Sequence, residues 1–292
     1  MVYSISNEQL HISIKTKGGS LWSVRDRENT EYLWQGDPKY WSDRAPNLFP
    51  YIARLTEGKY LLDGKIYHMD IHGFVKDCDL RIKEHGADSL CLFMTDTPET
   101  YSQYPYRFAY EIHYHLCGSK LSVTYRVENH DEKIMYFGIG AHPGFRVPLE
   151  KGLAFEDYYL QFPESDGMQK VGMTEDCFVN GEREAFPLGE GGILPLKHTL
   201  FDDDAIILDN VPKQVELAAK NGSKGVRVSF PQMRYLGLWH KPKSDAPYIC
   251  IEPWSSLPSR KNVVEDIAKQ EDLISLSPHK SYENRWEIEI LS

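Results

Sequence analysis

The sequence predicts an all-β protein built from antiparallel sheets. Apolar and polar residues alternate with period two in segments from one end of the chain to the other, and clusters of Gly, Pro, Asn and Asp separate those segments. Helical patterns are scarce. Because strands do not alternate with helices, a parallel doubly wound sheet is disfavoured, and large antiparallel sheets packed face to face remain.

The strand signals run along the whole chain. The first is residues 10–14, where Leu and Ile alternate with polar residues. Residues 110–117 and 121–128 alternate on either side of a Gly-Ser-Lys turn, which predicts a hairpin with one apolar and one polar face. The same alternation returns in residues 226–230 and again in residues 286–290.

One segment favours a helix. In residues 262–270 the apolar side chains share one helical face, Asn262 is a suitable N-cap, and Glu265 follows three residues later as in a capping box. Residues 163–195 are rich in Gly, Glu and Pro, and we interpret them as a long excursion and not as a domain boundary. The sequence therefore predicts a single domain over residues 1–292 with few short helices.

Composition excludes several classes of protein. The chain has 292 residues, of which 41% are hydrophobic and 26% charged, so it is globular. Its net charge of −10, without a cluster of Lys and Arg, argues against a nucleic-acid partner. No stretch approaches the roughly 20 apolar residues of a membrane span, and the first residues lack a signal-peptide pattern, so we expect a cytoplasmic protein with no membrane partner.

The cysteines and histidines give weak metal signals. Five cysteines without a CxxC pair predict reduced thiols, not disulfides or a zinc knuckle. His113 and His115 form an HxH pattern that would place both imidazoles on one face of a strand, and Glu111 shares that face. The spacing alone identifies no complete set of ligands, so we predict a solvated polar face and no metal site.

Two segments near the N-terminal third carry reactive side chains in apolar surroundings. Arg54 ends the run NLFPYIARL, so its guanidinium is expected to be partly buried and to be hydrogen-bonded by a carboxylate or a ligand. In DIHGFVKD, Gly73 permits a backbone conformation that would present His72 from a strand end. Each segment by itself is also consistent with a structural role.

Two later segments have the same character. A predicted strand over residues 134–137 leads into GIGAHPGF, where small neighbours leave space around the imidazole of His142. In YICIEPW a strand delivers Glu252 beside Trp254, and burial there would raise the pKa of Glu252 toward the range useful for proton transfer. Trp254 is also a natural platform for the apolar face of a sugar ring.

Taken in order, these segments resemble the aldose 1-epimerase (galactose mutarotase) family, particularly its LacX-like branch. The matching pieces are NLFPYIARL, HGFVKD, YPYRFAYEI, GAHPGF, LFDDDAIIL, YLGLWHKP and APYICIEPW, and they extend from about residue 47 to residue 254. The resemblance implies a large antiparallel β-supersandwich with an open sugar cleft. Lys76 stands where many relatives have Arg, so a partner that needs a planar guanidinium would be lost.

The resemblance also implies a role for each matching residue. Glu252 would be the general base that takes the proton from the anomeric hydroxyl, and His142 the general acid that protonates the ring oxygen. His72 would hydrogen-bond near the ring oxygen and the C1 hydroxyl. Arg54 would orient substrate hydroxyls, and an aspartate of FDDDA, for which we favour Asp204, would bind the sugar.

Mutarotation transfers no electrons and breaks no carbon–carbon bond, so it needs one acid and one base near neutrality, and no metal or cofactor is expected. The expected partner is a small sugar, and the oligomeric state is left open. One alternative is a hexose-phosphate epimerase of the same superfamily, which needs basic residues aimed at a phosphate. The candidates for that task are Arg54, Lys76, Arg146 and Lys241.

Two further alternatives stay open at this point. Glu252 and Asp204 could be the paired carboxylates of a glycoside hydrolase, although such an enzyme would not need His142 as its acid. A non-catalytic carbohydrate-binding domain would keep the cleft and lack the acid or the base, and the sequence contains a candidate for each.

Overall fold

The computed structural model describes residues 1–164 and 167–292, and this part of the chain is dominated by β-strands. It contains one α-helix, α1 (Pro98–Gln103), which Thr97 caps, and five short 3-10 turns. The turns span Thr56–Gly58, Val75–Asp77, Phe155–Asp157, Glu190–Gly192 and His198–Phe201. The predicted all-β class with few short helices is confirmed.

The first half of the chain contributes these strands: β1 (Val2–Ser6), β2 (Leu10–Lys15), β3 (Leu21–Asp26), β4 (Asn47–Leu48), β5 (Lys59–Leu62), β6 (Lys65–His68), β7 (Arg81–His85), β8 (Ser89–Thr95), β9 (Phe108–Cys117), β10 (Lys120–Asn129), β11 (Met135–Phe137) and β12 (Gly140–Ala141). The second half contributes these: β13 (Gly144–Arg146), β14 (Tyr158–Gln161), β15 (Gln169–Met173), β16 (Val179–Ala185), β17 (Ile193–Pro195), β18 (Ile206–Asp209), β19 (Gln214–Ala219), β20 (Gly225–Ser229), β21 (Tyr235–Trp239), β22 (Tyr248–Trp254), β23 (Ile274–Leu276) and β24 (Ser281–Leu291).

Two large antiparallel sheets form the body of the molecule. The first has nine strands in the order β17-β14-β19-β20-β24-β10-β9-β8-β7. The second has eight, in the order β16-β15-β18-β21-β22-β12-β4, with β13 also paired to β22. Three smaller sheets, β1-β2-β3, β5-β6 and β11-β23, complete the described strands.

The inner faces of the two large sheets meet in the core. The predicted hairpin is β9 and β10, and its alternate residues Tyr110, Ile112 and Tyr114 are buried. Tyr125 of β10 donates a hydrogen bond to Oδ1 of Asn47 on β4 at 2.7 Å, which links the sheets across the core. The period-two pattern therefore predicted correctly which side chains point inward.

The predicted helix over residues 262–270 is wrong. Its backbone groups pair with β5: the Leu61 amide donates to the Glu265 carbonyl at 2.7 Å, and the Ile267 amide donates to the Leu61 carbonyl at 3.1 Å. Asn262 has a positive φ of 59°, and the Glu265 carboxylate binds the Arg260 guanidinium at 2.8 and 2.9 Å instead of closing a capping box. Tertiary bonding overrides the local helical pattern here.

The segment 163–195 supplies strands to both large sheets, with β15 and β16 in the eight-stranded sheet and β17 in the nine-stranded sheet. Residues 165 and 166 of that segment lie outside the described residues.

None of the helices in the described part of the chain has the length and hydropathy that a bilayer crossing requires.

Candidate active site

Strand pairing brings His142 and Glu252 together although they are far apart along the chain. The strands β12 and β13 flank His142, and both pair with β22 in one continuous register in which Gly140 lies opposite Trp254. Continuing that register places His142 opposite Glu252 on β22. The strand β22 is buried along its whole length, which accounts for its nearly continuous apolar sequence.

The two side chains form a close, buried pair. His142 Nε2 lies 3.2 Å from Glu252 Oε2, and the side chains are 11% and 1% exposed. Neither Glu252 Oε2 nor His142 Nδ1 has a hydrogen-bond partner among the described residues, and the 3.2 Å contact between His142 Nε2 and Glu252 Oε2 does not have the geometry of a hydrogen bond. Buried polar atoms are normally hydrogen-bonded, so these atoms are available to a ligand.

Burial shifts both pKa values toward the uncharged forms. Removal from water lowers the pKa of His142 to about 3. Burial also raises the pKa of Glu252 well above its ordinary value, and the negative charge of Asp204 raises it further. Burial therefore favours the uncharged form of both groups, in which the carboxyl carries a proton and the imidazole is neutral.

A glycine on the neighbouring strand keeps space beside the carboxyl. Gly237 of β21 lies directly opposite Glu252. A Cβ atom at Gly237 would lie 3.3 Å from Glu252 Cβ and 3.3 Å from the Trp254 ring, which is tighter than ordinary packing. The sequence LGLW therefore has its glycine where the wall of the site needs to stay open.

His72 is held by the segment that precedes Arg54. The His72 amide donates to the Ala53 carbonyl at 2.9 Å, and the Ala53 amide donates to His72 Nδ1 at 3.1 Å. A Cβ atom at Gly73, which has a positive φ of 70°, would lie 2.3 Å from the Phe49 carbonyl oxygen, so only glycine fits in HGF. Burial lowers the pKa of His72 well below its ordinary value, with a smaller effect from His142.

These side chains line one cavity of about 330 Å³, large enough for a monosaccharide. All six residues singled out from the sequence are on its wall: Arg54, His72, His142, Asp204, Glu252 and Trp254. The cavity is open to solvent at the side that carries Arg54, whose side chain is exposed. The cavity wall thus brings together two imidazoles, a carboxyl group and an indole.

Comparison with known proteins identifies the family. The family profile described as "Aldose 1-epimerase" matches residues 1–288. The chromosomal LacX protein of Lactococcus lactis subsp. lactis is 32% identical over 300 residues, which cover 97% of this chain and 98% of that protein, and its plasmid counterpart matches equally. This chain belongs to the aldose 1-epimerase family.

Solved structures agree with this membership. A galactose mutarotase related enzyme from Lactobacillus acidophilus superposes with a TM-score of 0.95 at 29% identity, covering 100% of this chain and 98% of that one. A galactose mutarotase-like protein from Lactobacillus casei gives a TM-score of 0.94 at 30% identity, covering 99% and 100%. The galactose mutarotase-like supersandwich is therefore confirmed, and family membership supports an isomerase of the aldose epimerase type.

Of the three aspartates in FDDDA, Asp204 is on the wall of the aldose epimerase cleft. Its carboxylate is fixed by two donors: the Ala205 amide donates to Oδ1 at 2.8 Å, and the Cys177 thiol donates to Oδ2 at 3.2 Å. Asp204 has a positive φ of 76°, so the chain turns sharply before β18. Cys177 also lines the cleft and was not anticipated from the sequence.

The expectation that the Arg54 guanidinium is partly buried is wrong. The side chain is exposed at the rim of the cleft and makes no hydrogen bond or ion pair with any described residue. Ala53 has a positive φ of 55°, so the backbone turns where the apolar run ends, and Arg54 points out of the core. Lys76, also on the cleft wall, pairs with Asp77 at 2.5 Å.

Two tryptophans around the general-acid candidate were missed. The Trp41 ring packs against the His142 ring in a tilted arrangement, with a centroid distance of 4.8 Å and an interplanar angle of 32°, and Trp239 meets the same ring edge-on at 5.7 Å. Trp239 lies in the piece YLGLWHKP that resembled the family. Trp41 lies in an irregular segment with no periodic signal, and only the tertiary structure places it over His142.

Two of the cleft residues, His142 and Glu252, belong to a buried set of potential metal ligands. The ligand atoms of His142, Cys250 and Glu252 all lie within 4.8 Å of one another, and all three residues are buried. Burial raises the pKa of the Cys250 thiol well above its ordinary value, and the Glu252 carboxylate adds to that rise. The same arrangement can instead move a proton between the imidazole and the carboxyl.

Proposed function

We propose that the protein is an aldose 1-epimerase that interconverts the α and β anomers of a free aldose such as galactose or glucose. The observation that carries the proposal is the His142–Glu252 pair, whose facing atoms are 3.2 Å apart on the wall of a cavity of monosaccharide size. The two oxygens of a hemiacetal are bonded to the same carbon. An acid and a base this close can therefore address both oxygens at once.

The proposed reaction transfers two protons while one carbon–oxygen bond breaks and forms again. The Glu252 carboxylate takes the proton from the anomeric hydroxyl, His142 protonates the ring oxygen, and the bond between C1 and that oxygen breaks to give the open-chain aldehyde. Rotation about C1–C2 exposes the other face of the carbonyl. The same steps in reverse close the ring to the other anomer and return both protons.

Substrate binding selects the reactive form of the pair. Burial favours neutral His142 with the proton on Glu252, whereas the proposed roles need that proton on His142. Both forms contain the same number of protons and differ by a transfer across the 3.2 Å contact. A hydroxyl that donates to the carboxylate stabilises its charged form, so the sugar itself favours the form that reacts.

His72 is proposed to bind the ring oxygen or the C1 hydroxyl. Its Nδ1 accepts from the Ala53 amide, so in the neutral ring the proton is on Nε2, which becomes a donor. A lowered pKa keeps the ring neutral, so His72 supplies a hydrogen bond without adding a charge beside His142.

The remaining cleft residues are proposed to hold the sugar. The Asp204 carboxylate, fixed by its two donors, would accept from sugar hydroxyls. Trp254 is 4% exposed, and its indole Nε1 has no hydrogen-bond partner among the described residues, so it would offer both an apolar surface and a donor. Arg54, free at the rim, would donate to hydroxyls at the open end of the cavity.

The test follows the optical rotation of freshly dissolved α-galactose and α-glucose, with calorimetry to measure sugar binding. We expect His142→Ala and Glu252→Gln each to lower the catalysed rate about 10²- to 10⁴-fold while sugar still binds. His115→Ala, an exposed histidine on the nine-stranded sheet, is the matched control and should keep the wild-type rate. A wild-type rate in either cleft variant would favour a non-catalytic sugar-binding domain.

One observation favours a second candidate, a hexose-phosphate 1-epimerase. Arg54 and Lys76 are both on the cleft wall, and Arg54 has no anionic partner among the described residues. Of the other basic residues considered, Lys241 donates to the Lys39 carbonyl. Activity on glucose 6-phosphate alone, lost in Arg54→Ala, would select this candidate. Equal rates for wild type and Arg54→Ala on both glucose and glucose 6-phosphate would exclude it.

A further inference from the structure

The outer face of the nine-stranded sheet carries a second cluster of potential metal ligands, none of which lines the cleft. In the pairing of β8 with β9, Cys91 lies directly opposite His113, and Glu111, two residues before His113, is on the same face. Cys91 Sγ is 3.0 Å from His113 Nε2, which is 3.3 Å from Glu111 Oε2. The three ligand atoms lie within 4.8 Å of one another.

A thiolate, an imidazole and a carboxylate are the donors that zinc and related transition metals prefer. Metal–ligand bonds of about 2.0–2.3 Å separate the donor atoms of a tetrahedral site by roughly 3 to 4 Å. The three atoms therefore already have nearly the spacing of a metal site. Water would supply the fourth position, because 42% of the His113 side chain is exposed.

A neighbouring lysine orients the carboxylate. Lys83 is the extra residue of a bulge in β7, between Ile82 and Glu84, and its ammonium group donates to Glu111 Oε1 at 2.5 Å. The other oxygen, Oε2, is left facing His113. Groups that fix one oxygen of a carboxylate while the other binds a metal are typical of the surroundings of metal sites.

We propose that Cys91, Glu111 and His113 bind a transition-metal ion of the Zn²⁺ class. Binding would release the Cys91 proton to solvent and join β8 to β9 through the metal. The sequence predicted a solvated polar face and no metal site here, and the proposal departs from that prediction. His115 lies opposite Ser89 and is not among the ligand atoms within 4.8 Å of one another. The ligand that the sequence did not reveal comes from the neighbouring strand. The proposal does not depend on the proposed epimerase activity.

The test uses the full chain, treated with a chelator and then titrated with Co²⁺, whose thiolate complexes absorb in the near ultraviolet. We expect one Co²⁺ per chain with a thiolate band in the wild type. The band should be absent in Cys91→Ser, and the affinity should fall at least about 10-fold in His113→Ala. His115→Ala is the matched control on the same face and should bind as the wild type does.

A second readout uses Zn²⁺ and thermal unfolding. A metal that binds only the folded chain raises the unfolding temperature, so Zn²⁺ should raise it in the wild type and in His115→Ala but not in Cys91→Ser. Unchanged unfolding temperatures of the metal-free variants would show that each variant folds. A thiolate band that persists in Cys91→Ser and disappears in Glu252→Gln would place the metal in the cleft and overturn the proposal. No thiolate band in the wild type, or equal losses in His113→Ala and His115→Ala, would overturn it too.

Discussion

Two buried polar clusters among the described residues, one in the core and one in the cleft, differ in whether their hydrogen bonds are made. In the core between the sheets, the Tyr125 hydroxyl donates to Asn47 Oδ1 at 2.7 Å and accepts from Trp286 Nε1 at 3.1 Å. The Asn47 amide group donates to the Gly18 carbonyl at 2.9 Å and the Gly19 carbonyl at 3.1 Å. Every member of this cluster has a partner, as buried groups usually do.

The cleft cluster is as buried but lacks these bonds. His142 Nδ1, Glu252 Oε2 and Trp254 Nε1 have no hydrogen-bond partner among the described residues. Burying a polar group without a partner costs free energy, and these three atoms belong to residues that share the wall of one cavity. The comparison indicates that the Asn47 cluster stabilises the fold, whereas the cleft cluster is kept for a ligand that supplies the missing bonds.

Breaking the satisfied cluster should have the largest effect on stability. Tyr125→Phe removes the hydroxyl and leaves Asn47 Oδ1 and Trp286 Nε1 buried without that partner, which should lower the free energy of unfolding by about 2 to 4 kcal/mol. Denaturant unfolding measures this loss. The rate of anomer interconversion per folded molecule should stay near that of the wild type. A loss below about 0.5 kcal/mol would contradict the structural role of the cluster.

Removing the buried carboxyl of the cleft cluster should raise the free energy of unfolding relative to wild type, in contrast to the loss expected for Tyr125→Phe. Because burial raises the folded-state pKa of Glu252 above its ordinary 4.5, the folded chain keeps a proton that the unfolded chain releases, and wild-type stability falls as pH rises through that window. Glu252→Gln removes this dependence. Its stability relative to wild type should therefore grow by up to about 1.4 kcal/mol per pH unit.

Denaturant unfolding of both proteins between about pH 5 and pH 8 checks this sign. Glu8→Gln is the control, because Glu8 is exposed and its side chain makes no hydrogen bond or ion pair with the described residues. Its difference from wild type should stay constant over the same range. A Glu252→Gln difference that is also constant would mean that the folded state does not raise the pKa of Glu252.

A smaller effect, on KM, is expected from removing one of the two hydrogen-bond donors of the Asp204 carboxylate. Cys177→Ala removes the thiol that donates to Asp204 Oδ2 and should raise KM about 2- to 10-fold with little change in kcat. Cys177→Ser keeps a donor and should stay closer to wild type. Steady-state rates for galactose measure both constants. Equal KM values for Cys177→Ala and wild type would show that the thiol does not position Asp204.

The sequence predicted what depends on short-range pattern. The alternation in residues 110–117 predicted β9 and its buried face, because side-chain direction in a strand repeats every two residues. The helix predicted for residues 262–270 does not form, because their backbone makes hydrogen bonds with Leu61, which is distant along the chain. Local propensity could not have revealed that pairing.

For the candidate site too, the sequence predicted some features, and others depend on the tertiary structure. Chemistry-bearing residues such as His142 and Glu252 were found through short motifs and the family resemblance, but their 3.2 Å approach depends on the register of β12 and β13 against β22. Register is decided by tertiary packing. Trp41 and Cys177 come from irregular segments, and Cys91 from a neighbouring strand, so sequence spacing could not place them.

The most direct test of the account is a double-mutant cycle on the anomeric exchange of galactose, measured at equilibrium by magnetisation-transfer NMR. His142→Ala and Glu252→Gln should each slow the exchange about 10²- to 10⁴-fold. Because the pair moves one proton as a unit, the double variant should be no slower than the slower single variant. Losses that multiply in the double variant, or an unchanged rate in either single variant, would contradict the claim that the two groups act together on one anomeric carbon.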